Sequence, residues 1–301
     1  MNKYIDFSEE VQRAIDERRP IVAIETGGTF EGISYPDNAK TALKVMDSIR
    51  EAGATPAYIA IMNGRVKVGM TEAEVEAFAK MRGTMMKASR REIPQIIAQG
   101  ANGVMTIAAT MVIADYVGIS VVSGGGIGGV HRGAQISMDI SSDLEELANR
   151  NVIVVCSGAK SILDLNLTME YLETKSVSVI GYKTDELPAY MARSSGIKLT
   201  CSMDDTSTIA KTYRIKNEFN IKNGIVVANP IDEEYAVDSK LMNKVIDEAV
   251  AKSQVDNISG KAITGYLMKY VKEKMGNDSM EAQKHMIMAN AILAADIANK
   301  I

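Results

Sequence analysis

The stretch Val152–Lys160 reads VIVVCSGAK and carries the pattern that decides the fold. Its first four residues are all β-branched and apolar, with no polar residue between them. Such a run is typical of a strand buried on both faces, as in parallel sheets that are covered by helices. Small and polar residues follow Cys156 directly. We therefore predict a buried strand over Val152–Cys156, with an inert Cys156 at its end and Lys160 just beyond it.

Similar short apolar runs recur along the chain and alternate with helical patterns. The predicted strands are Ile21–Ile24, Val104–Ile107, Ile119–Ser123, Val177–Ile180 and Gly224–Ala228. This alternation predicts a mostly parallel central sheet with helices on both faces, which is a three-layer α/β/α fold. From Asp232 onward the pattern is mostly helical, and no clear linker or repeat divides residues 1–301. We expect a single domain with a helical C-terminal region.

Local signals place turns and helix starts within this fold. Asn63-Gly64 separates two apolar runs and predicts a hairpin with a primed turn over Tyr58–Val68. Helix starts are predicted at Ser8, at Thr71 with Glu74 in a capping box, at Ser89 for a helix that runs to Gln99, and at Ser161.

The composition excludes several classes of protein. Of 301 residues, 46% are hydrophobic, which is enough for a sizeable core. The net charge is −4 and no basic run stands out, which argues against a nucleic-acid partner. No apolar stretch approaches the roughly 20 residues of a membrane span. Two Cys are too few for a disulfide framework, and the N-terminus lacks a signal-peptide pattern. We expect a cytoplasmic protein that has no membrane partner.

Polar or glycine-rich segments follow four of the predicted strands. They are Glu25–Gly28, Thr106–Thr110, Gly124–Arg132 and Ser157–Lys160. Ligands of parallel sheets bind outside the carboxyl ends of the strands, so these segments predict a site. Burial and a second cation such as Lys87 would make Lys160 a nucleophile, because both disfavour the ammonium form. The alternatives are a Lys160 that extends to solvent and a Glu25 that is a solvated loop residue.

The run Gly124–Gly129 formally satisfies G-x-G-x-x-G, but Val130–Gly133 is not a helix start, which argues against dinucleotide binding. A loop whose backbone N–H groups bind an anion, assisted by His131 and Arg132, fits better. The alternative is a plain turn.

Asp139 and Asp143 are four residues apart and are flanked by hydroxyl groups. Oxygen ligands of this kind suit Mg²⁺ or Mn²⁺. The alternative for Asp143 is an acid in the first turn of a helix. Two His without H-E-x-x-H argue against a zinc hydrolase, and there is no G-x-S-x-G elbow or P-loop motif.

These segments resemble the pseudouridine-5′-phosphate glycosidase family, which is also called the indigoidine synthase A-like family. The resemblance runs from about Ile21 to the C-terminus and is carried by Val22–Glu25, Tyr35–Asn38, Pro56–Gly69, Gly125–Ala134, Cys156–Asp164, Tyr171–Thr174, Thr184–Glu186 and Ala228–Pro230. Because so many blocks occur in the same order, the chain is identified as a member of this family.

The resemblance implies a homotrimeric enzyme, a pseudouridylate synthase of the carbon–oxygen lyase class with glycosidase activity. It would reversibly convert pseudouridine 5′-phosphate and water to uracil and ribose 5-phosphate. Lys160 would attack C1′ of the sugar and form a Schiff-base adduct, Glu25 would donate a proton, and Asp139 would bind Mn²⁺ or Mg²⁺. The implied substrate contacts are Lys87, Ile107, His131, Ser141, Ser142 and Asp143, with His131 beside the phosphate.

Around this core the sequence departs from the family pattern. Glu31 stands where the family carries a His and Ala88 where Thr is common, Leu187 replaces an aromatic, and Gln283 and Ala289 replace Asn. A carboxylate near a phosphate would repel it, so we expect the base or the phosphate to be recognised differently. The alternatives are a family variant that acts on another C-nucleoside or C-glycoside, phosphorylated or not, and a non-catalytic sugar-phosphate binding protein.

Overall fold

The computed structural model describes residues 2–258 and 260–301. Within these residues, eleven strands form one sheet. They are β1 Ile5–Phe7, β2 Ile21–Ile24, β3 Thr55–Met62, β4 Arg65–Val68, β5 Met86–Ala88, β6 Gly103–Met105, β7 Val121–Ser123, β8 Ile153–Cys156, β9 Ser178–Tyr182, β10 Ser202–Met203 and β11 Ile225–Ala228. The strand order is β1-β4-β3-β2-β7-β8-β11-β9-β10, and β6 pairs with both β3 and β5.

The middle of the sheet is parallel, which confirms the prediction. β2 pairs with β7 so that Ile24 lies opposite Ser123, and β7 pairs with β8 so that Ser123 lies opposite Val155. The neighbouring strand β11 is parallel to β8 as well. Among the described strands, only the pairings of β3 with β4 and with β6 are antiparallel. The carboxyl ends of β2, β7 and β8 therefore meet at one edge of the sheet.

Helices flank the sheet, and the predicted helical C-terminal region is confirmed as α10–α12. The helices are α1 Glu9–Asp16, α2 Asp37–Glu51, α3 Glu72–Lys80, α4 Ile93–Ala98, α5 Ile107–Val117, α6 Ala134–Ser137, α7 Ser142–Asn149, α8 Leu165–Thr174, α9 Thr206–Glu218, α10 Ser239–Val255, α11 Lys261–Met275 and α12 Asn277–Ala298. The long helix α12 packs on β2, β7 and β8 and is flanked by α2 and α9. The apolar helix α5 also packs on β2 and β7 and contacts α7.

Several local predictions are confirmed. Asn63 and Gly64 both have positive φ angles, 49° and 72°, as a primed hairpin turn between β3 and β4 requires. Thr71 and Glu74 form both hydrogen bonds of a capping box at the start of α3. Ser8 caps α1 by accepting a hydrogen bond from the backbone N–H of Val11 at 3.3 Å.

Two predicted helix starts are wrong. Ser89 does not cap a helix, since α4 begins later, after Glu92, whose carboxylate accepts a hydrogen bond from the Ser89 N–H at 3.0 Å. The helix predicted from Ser161 begins at Leu165 instead, because Asp164 is the residue that caps α8.

The boundary predicted at Ile107 is also wrong. The strand β6 ends at Met105, and Thr106 caps α5 by accepting a hydrogen bond from the Ala109 N–H at 3.3 Å. Ile107 is therefore the first residue of a helix and not the last residue of a strand. The short strands β1, β5 and β10 and the helix α9 carry too few apolar residues in a clear pattern for the sequence to predict them.

The core is aliphatic with a small aromatic cluster. Phe30 contacts Tyr58 and Phe78 edge-on, with ring centroids 5.3 and 5.0 Å apart. Cys156 is fully buried, as predicted, and burial raises the pKa of its thiol to about 12, which disfavours the reactive thiolate. In the described part of the chain, no helix combines the length and apolar character of a membrane span.

Candidate active site

Three of the four predicted strand-end segments meet at the edge formed by β2, β7 and β8. The backbone N–H of Glu25, after β2, donates to the carbonyl of Ser123 at 3.0 Å. The N–H of Gly124, after β7, donates to the carbonyl of Val155 at 3.1 Å. These ladder bonds continue past the strand ends, so the glycine run lies between the segments that carry Glu25 and Lys160.

Lys160 reaches this glycine run with its side chain. Its Nζ atom donates a hydrogen bond to the carbonyl of Gly126 at 2.7 Å, and its backbone N–H donates to the carbonyl of Ile127 at 3.1 Å. The side chain is half-buried. Lys160 therefore does not simply extend to solvent, because its amine is held against the loop.

Glu25 is held by the turn that follows it. Both carboxylate oxygens accept hydrogen bonds from the N–H of Gly28, at 3.1 and 2.9 Å. A Cβ atom at Gly27 would collide with the Glu25 carboxylate, so the turn needs glycine there. Burial raises the pKa of Glu25, and the Lys160 ammonium is the largest of the effects that oppose it. A carboxyl group with a raised pKa is suited to donate a proton near neutral pH.

Asp143 is a buried structural acid. It lies in the first turn of α7, as the alternative interpretation had it, and is only 4% exposed. One carboxylate oxygen accepts from the N–H of Ala108 at 2.7 Å, and the other accepts from the N–H of Gly128 at 2.7 Å. Asp143 thus connects the start of α5 to the glycine run. Its place in a metal site together with Asp139 stays a prediction.

Ser141 and Ser142 also connect segments. Ser141 caps α7, accepting a hydrogen bond from the Asp143 N–H at 3.2 Å. The hydroxyl groups of Ser142 and Ser89 lie 2.6 Å apart, which attaches the segment that carries Lys87 to α7. Arg90, three residues after Lys87, pairs with the fully buried Glu146 at 2.9 Å.

The remaining predicted contacts surround the same edge. Lys87 is exposed on β5, and its charge acts on the pKa values of Glu25 and His131. Ile107 is buried and occupies the space where a Cβ atom at Gly124 would lie. His131 is buried with Nε2 3.3 Å from the Thr264 hydroxyl, and burial lowers its pKa while the Asp139 carboxylate opposes that shift.

Arg132 points away from the others. It forms an ion pair with Asp247 of α10 at 2.5 Å. The predicted role of Arg132 as an anion donor beside His131 is therefore not favoured by the structure.

Asp139 is half-buried, and no described residue donates a hydrogen bond to its carboxylate. Its backbone carbonyl accepts from the His131 N–H at 3.0 Å. Among residues 2–258 and 260–301, no group of three or more His, Cys, Asp or Glu is arranged to hold a metal ion.

The residues that depart from the family pattern lie mostly around Glu25 and the glycine run. The Glu31 carboxylate accepts from the Gly83 N–H at 3.0 Å, so its charge is engaged by a neighbouring loop. Gln283 of α12 donates to the Gly28 carbonyl at 2.7 Å. Ala88 and Leu187 are buried, and Ala289 is half-buried.

The sequence analysis assigned no structural role to two residues of this framework. Thr26 accepts a hydrogen bond from the Met105 N–H at 2.8 Å and donates to the Ile59 carbonyl at 3.0 Å, which joins β2 to β3 and β6. Asn290 is fully buried in α12, and its amide donates to the Gly124 carbonyl at 2.9 Å. The only available signal for Asn290 is a polar residue on an apolar helix face.

A protonatable acid and a primary amine at one edge of a parallel sheet, on either side of a glycine run, define an α/β enzyme site for acid and nucleophile chemistry. The chain belongs to the family described as indigoidine synthase A like protein, whose model matches residues 10–300. This confirms the resemblance seen in the sequence.

Relatives and solved structures cover almost the whole chain. Pseudouridine-5′-phosphate glycosidases of Clostridium botulinum and Escherichia coli are 47% and 45% identical, over 99% and 98% of this chain and 97% and 95% of their own. A crystal structure of the prealnumycin C-glycosynthase AlnA in complex with ribulose 5-phosphate is 36% identical, with a TM-score of 0.91. That match covers 100% of this chain and 97% of the other.

Proposed function

We propose that this protein cleaves, reversibly, the carbon–carbon glycosidic bond of pseudouridine 5′-phosphate, giving uracil and ribose 5-phosphate. The observation that carries the proposal is the placement of Glu25 and Lys160 on either side of one glycine run, with the Lys160 amine 2.7 Å from the Gly126 carbonyl. The names of relatives that are 45–47% identical over nearly the whole chain support the choice of substrate.

The proposed reaction begins at C1′ of the sugar. The unprotonated Lys160 amine bonds to C1′ while the bond from C1′ to the ring oxygen breaks, and that oxygen takes a proton from Glu25. The Glu25 carboxylate takes a proton from the lysine nitrogen, whose lone pair then forms a C=N bond as the bond from C1′ to the base breaks. The base carbon keeps the electron pair of that bond and takes the proton from Glu25, which releases uracil. Water adds to the imine carbon and frees ribose 5-phosphate from Lys160.

The burial of Glu25 supports its role as the acid. Burial raises its pKa, so a larger fraction of the carboxyl group is protonated near neutral pH than for an ordinary Glu. The two hydrogen bonds from Gly28 orient it. Glu25 can therefore be held in position and still carry the proton that the ring oxygen needs.

The substrate contacts are proposed for the more exposed side of the site. Lys87 and His131 would face the phosphate, and Ser141 and Ser142 would lie near the sugar. Ile107 and Asp143 would act mainly by shaping the glycine run, because Ile107 is buried and both Asp143 oxygens accept backbone hydrogen bonds. We further propose that the protein works in the cytoplasm as a homotrimer.

A divalent metal ion enters the proposal through Asp139 alone. Mg²⁺-type ions commonly keep several waters and take one or two carboxylates together with a substrate phosphate. A single carboxylate that accepts no hydrogen bond from described residues fits such an ion. Mn²⁺ or Mg²⁺ bound there would supply positive charge beside the substrate.

A second candidate is the same chemistry on another C-glycoside, in the direction of bond formation. The match to a C-glycosynthase in complex with ribulose 5-phosphate favours this candidate. A different base would be accommodated at two altered residues: Gln283, which donates to the Gly28 carbonyl, and Glu31, which lies in the turn after Glu25 and accepts from the Gly83 N–H.

Uracil release from pseudouridine 5′-phosphate tests the proposal directly. We expect release by the wild-type protein and a loss of at least about 10³-fold in Lys160→Ala, because nothing replaces the nucleophile. Lys175→Ala is the matched control, since Lys175 forms a surface ion pair with Glu145 at 2.9 Å. Equal activity of Lys160→Ala and wild type would exclude the mechanism.

Two further measurements separate the candidates. Borohydride reduction with ribose 5-phosphate, followed by peptide mapping, should place the sugar on Lys160, whereas an adduct on Lys87 would reverse the assigned roles. Unphosphorylated pseudouridine and other C-ribosides should be compared as substrates. If only the standard nucleotide is cleaved, and efficiently, altered recognition is excluded.

A further inference from the structure

The segment 188–192 packs against the glycine run from the side opposite to Asp143. The backbone N–H of Tyr190 donates to the Ser157 carbonyl at 2.8 Å, and the Ser161 hydroxyl donates to the Ala189 carbonyl at 2.6 Å. Both partners belong to the segment that leads from β8 to Lys160 and beyond. The position of Tyr190 is therefore coupled to the position of Lys160.

The Tyr190 ring lies directly on the backbone of the glycine run. A Cβ atom at Gly126 would be 2.5 Å from Tyr190 Cδ2, and one at Gly125 would be 3.3 Å from Cε2. Such distances mean that the ring occupies the space where side chains would be, and only glycine fits beneath it. Tyr190 is 3% exposed, so this packing is dry.

Side chains from two other segments donate hydrogen bonds to carbonyl groups of the same run. The Asn290 amide donates to the Gly124 carbonyl at 2.9 Å, and the Lys160 amine donates to the Gly126 carbonyl at 2.7 Å. Glycine peptides rotate more freely than others. The ring of Tyr190 limits this rotation at Gly126, the residue whose carbonyl the amine contacts.

Tyr190 adopts a backbone conformation that a bulky residue rarely takes, with a φ angle of 60°. Such a conformation persists where the surroundings impose it, and it is frequent at functional sites. Burial raises the pKa of Tyr190, and the Glu25 carboxylate acts in the same direction, so the hydroxyl keeps its proton. The residue therefore contributes a neutral ring to the site.

We propose that Tyr190 is a positioning residue for Lys160: its ring packs on Gly126 and holds this residue so that the Gly126 carbonyl orients the lysine amine. The expected loss of turnover in Tyr190 variants rests on the function proposed above. The expected change in the reactivity of the Lys160 amine does not, because that reactivity can be measured without any substrate.

The experiment compares Tyr190→Phe, Tyr190→Leu and Tyr190→Gly with wild type. The first keeps the ring, the second replaces it with a smaller apolar group, and the third also removes the steric cost of the positive φ angle. Tyr213→Leu is the matched control, because Tyr213 is 4% exposed and its hydroxyl donates to the Asn151 carbonyl at 2.8 Å. All variants are checked for folding by circular dichroism and thermal unfolding.

The first readout is the acetylation rate of Lys160 by acetic anhydride between about pH 7 and about pH 11.5, a range that spans the titration of an ordinary lysine near about pH 10.4. Peptide mass spectrometry quantifies the label. We expect Tyr190→Phe to reproduce the wild-type dependence of the Lys160 acetylation rate on pH. We expect Tyr190→Leu and Tyr190→Gly to shift this pH profile. Tyr213→Leu should lower the unfolding temperature and leave the profile of Lys160 unchanged.

The second readout is steady-state kinetics on pseudouridine 5′-phosphate. We expect kcat to fall about tenfold to a hundredfold in Tyr190→Leu and Tyr190→Gly with KM little changed, because a misplaced nucleophile slows the chemical step. An unchanged acetylation profile in folded Tyr190→Leu and Tyr190→Gly would overturn the inference. So would equal impairment of Tyr190→Phe, since the hydroxyl would then be responsible. If the wild type cleaves no substrate while the profile still shifts, the proposed function fails and the positioning role stands.

Discussion

Asp143 and Asp139 lie four residues apart, yet their surroundings in the structure differ. Asp143 is 4% exposed and accepts hydrogen bonds from Ala108 and Gly128, both at 2.7 Å. The Asp139 carboxylate is half-buried, and none of the backbone groups and side chains that the structure describes donates a hydrogen bond to it. The same residue type is therefore tied to backbone groups in one position and is not tied to described groups in the other.

This difference extends to the neighbouring residues. We call one side of the site, formed by Glu25, Asp143 and Asn290, its inner side. The polar side-chain atoms of these residues form hydrogen bonds with backbone groups. On what we call the outer side, Lys87 is exposed and Asp139 is half-buried. The hydrogen bonds of the inner side hold its residues in place, as efficient acid and nucleophile chemistry requires. In the function proposed above, the substrate would complete the outer side, and specificity would be set there.

The largest expected effect is on the inner side, at the acid. Glu25→Gln removes the proton donor but keeps the shape and can still accept from Gly28. We expect kcat for uracil release to fall by about 10² to 10⁴, the usual contribution of a general acid. Glu31→Gln is the control in the same turn and should fall far less. Comparable losses in both variants would mean that Glu25 acts through the structure of the turn.

The next effect concerns stability and contrasts the two aspartates directly. Asp143→Ala leaves two buried N–H groups without acceptors, so we expect the free energy of unfolding to fall by about 2–4 kcal/mol. Denaturant titration measures this change. A loss below about 0.5 kcal/mol, the range of ordinary surface substitutions, would show that the buried hydrogen bonds of Asp143 do not stabilise the fold.

The pH dependence tests the burial of Glu25. Its pKa is raised above the ordinary 4.5 in the folded protein, so the folded state binds this proton more tightly than the unfolded chain does. The wild type should lose stability relative to Glu25→Gln as the pH rises from 4.5 through the folded-state pKa of Glu25. The rate of cleavage should decline over the same window, because the acid loses its proton. A stability difference that does not change with pH would contradict the raised pKa.

The smallest expected effect on stability is at the outer aspartate. Asp139→Ala removes a half-buried carboxylate to which no described group donates a hydrogen bond and whose charge acts on His131, so we expect a change within about 0.5 kcal/mol in the free energy of unfolding. Activation by added Mn²⁺ should decrease in this variant and persist in Asp247→Ala, whose carboxylate pairs with Arg132. Undiminished activation in Asp139→Ala would place the ion elsewhere.

Most of the parallel sheet could be predicted because its signals are local. The apolar run that became β8 and the turn at Asn63-Gly64 lie within a few residues of the structures they specify. The wrong boundaries predicted at Ile107 and Ser161 also arise because only local signals were used. At Thr106 and Asp164 a capping side chain decides where the helix begins, and the apolar pattern continues across that boundary without a change.

The candidate site was predicted less completely than the fold. Residue type and position after a strand pointed to Glu25 and Lys160, and the family resemblance assigned their proposed roles. Neither the residue pattern nor the resemblance indicated that the Asp143 carboxylate would accept backbone hydrogen bonds. They also did not indicate that Arg132 would form an ion pair with Asp247. A carboxylate or guanidinium can find several partners, and its sequence neighbours do not specify which one lies within reach.

The sequence by itself determined the buried strands, the glycine run after β7 and the presence of an acid and a lysine beyond strand ends, because hydrophobic period and turn chemistry act over a few residues. Only the tertiary structure decided that Asn290 and Tyr190 hold the glycine run, and that Glu31 binds the Gly83 backbone. These contacts join segments that are far apart in the chain. Their geometry depends on how helices and loops pack on the sheet, and that packing has no local signature.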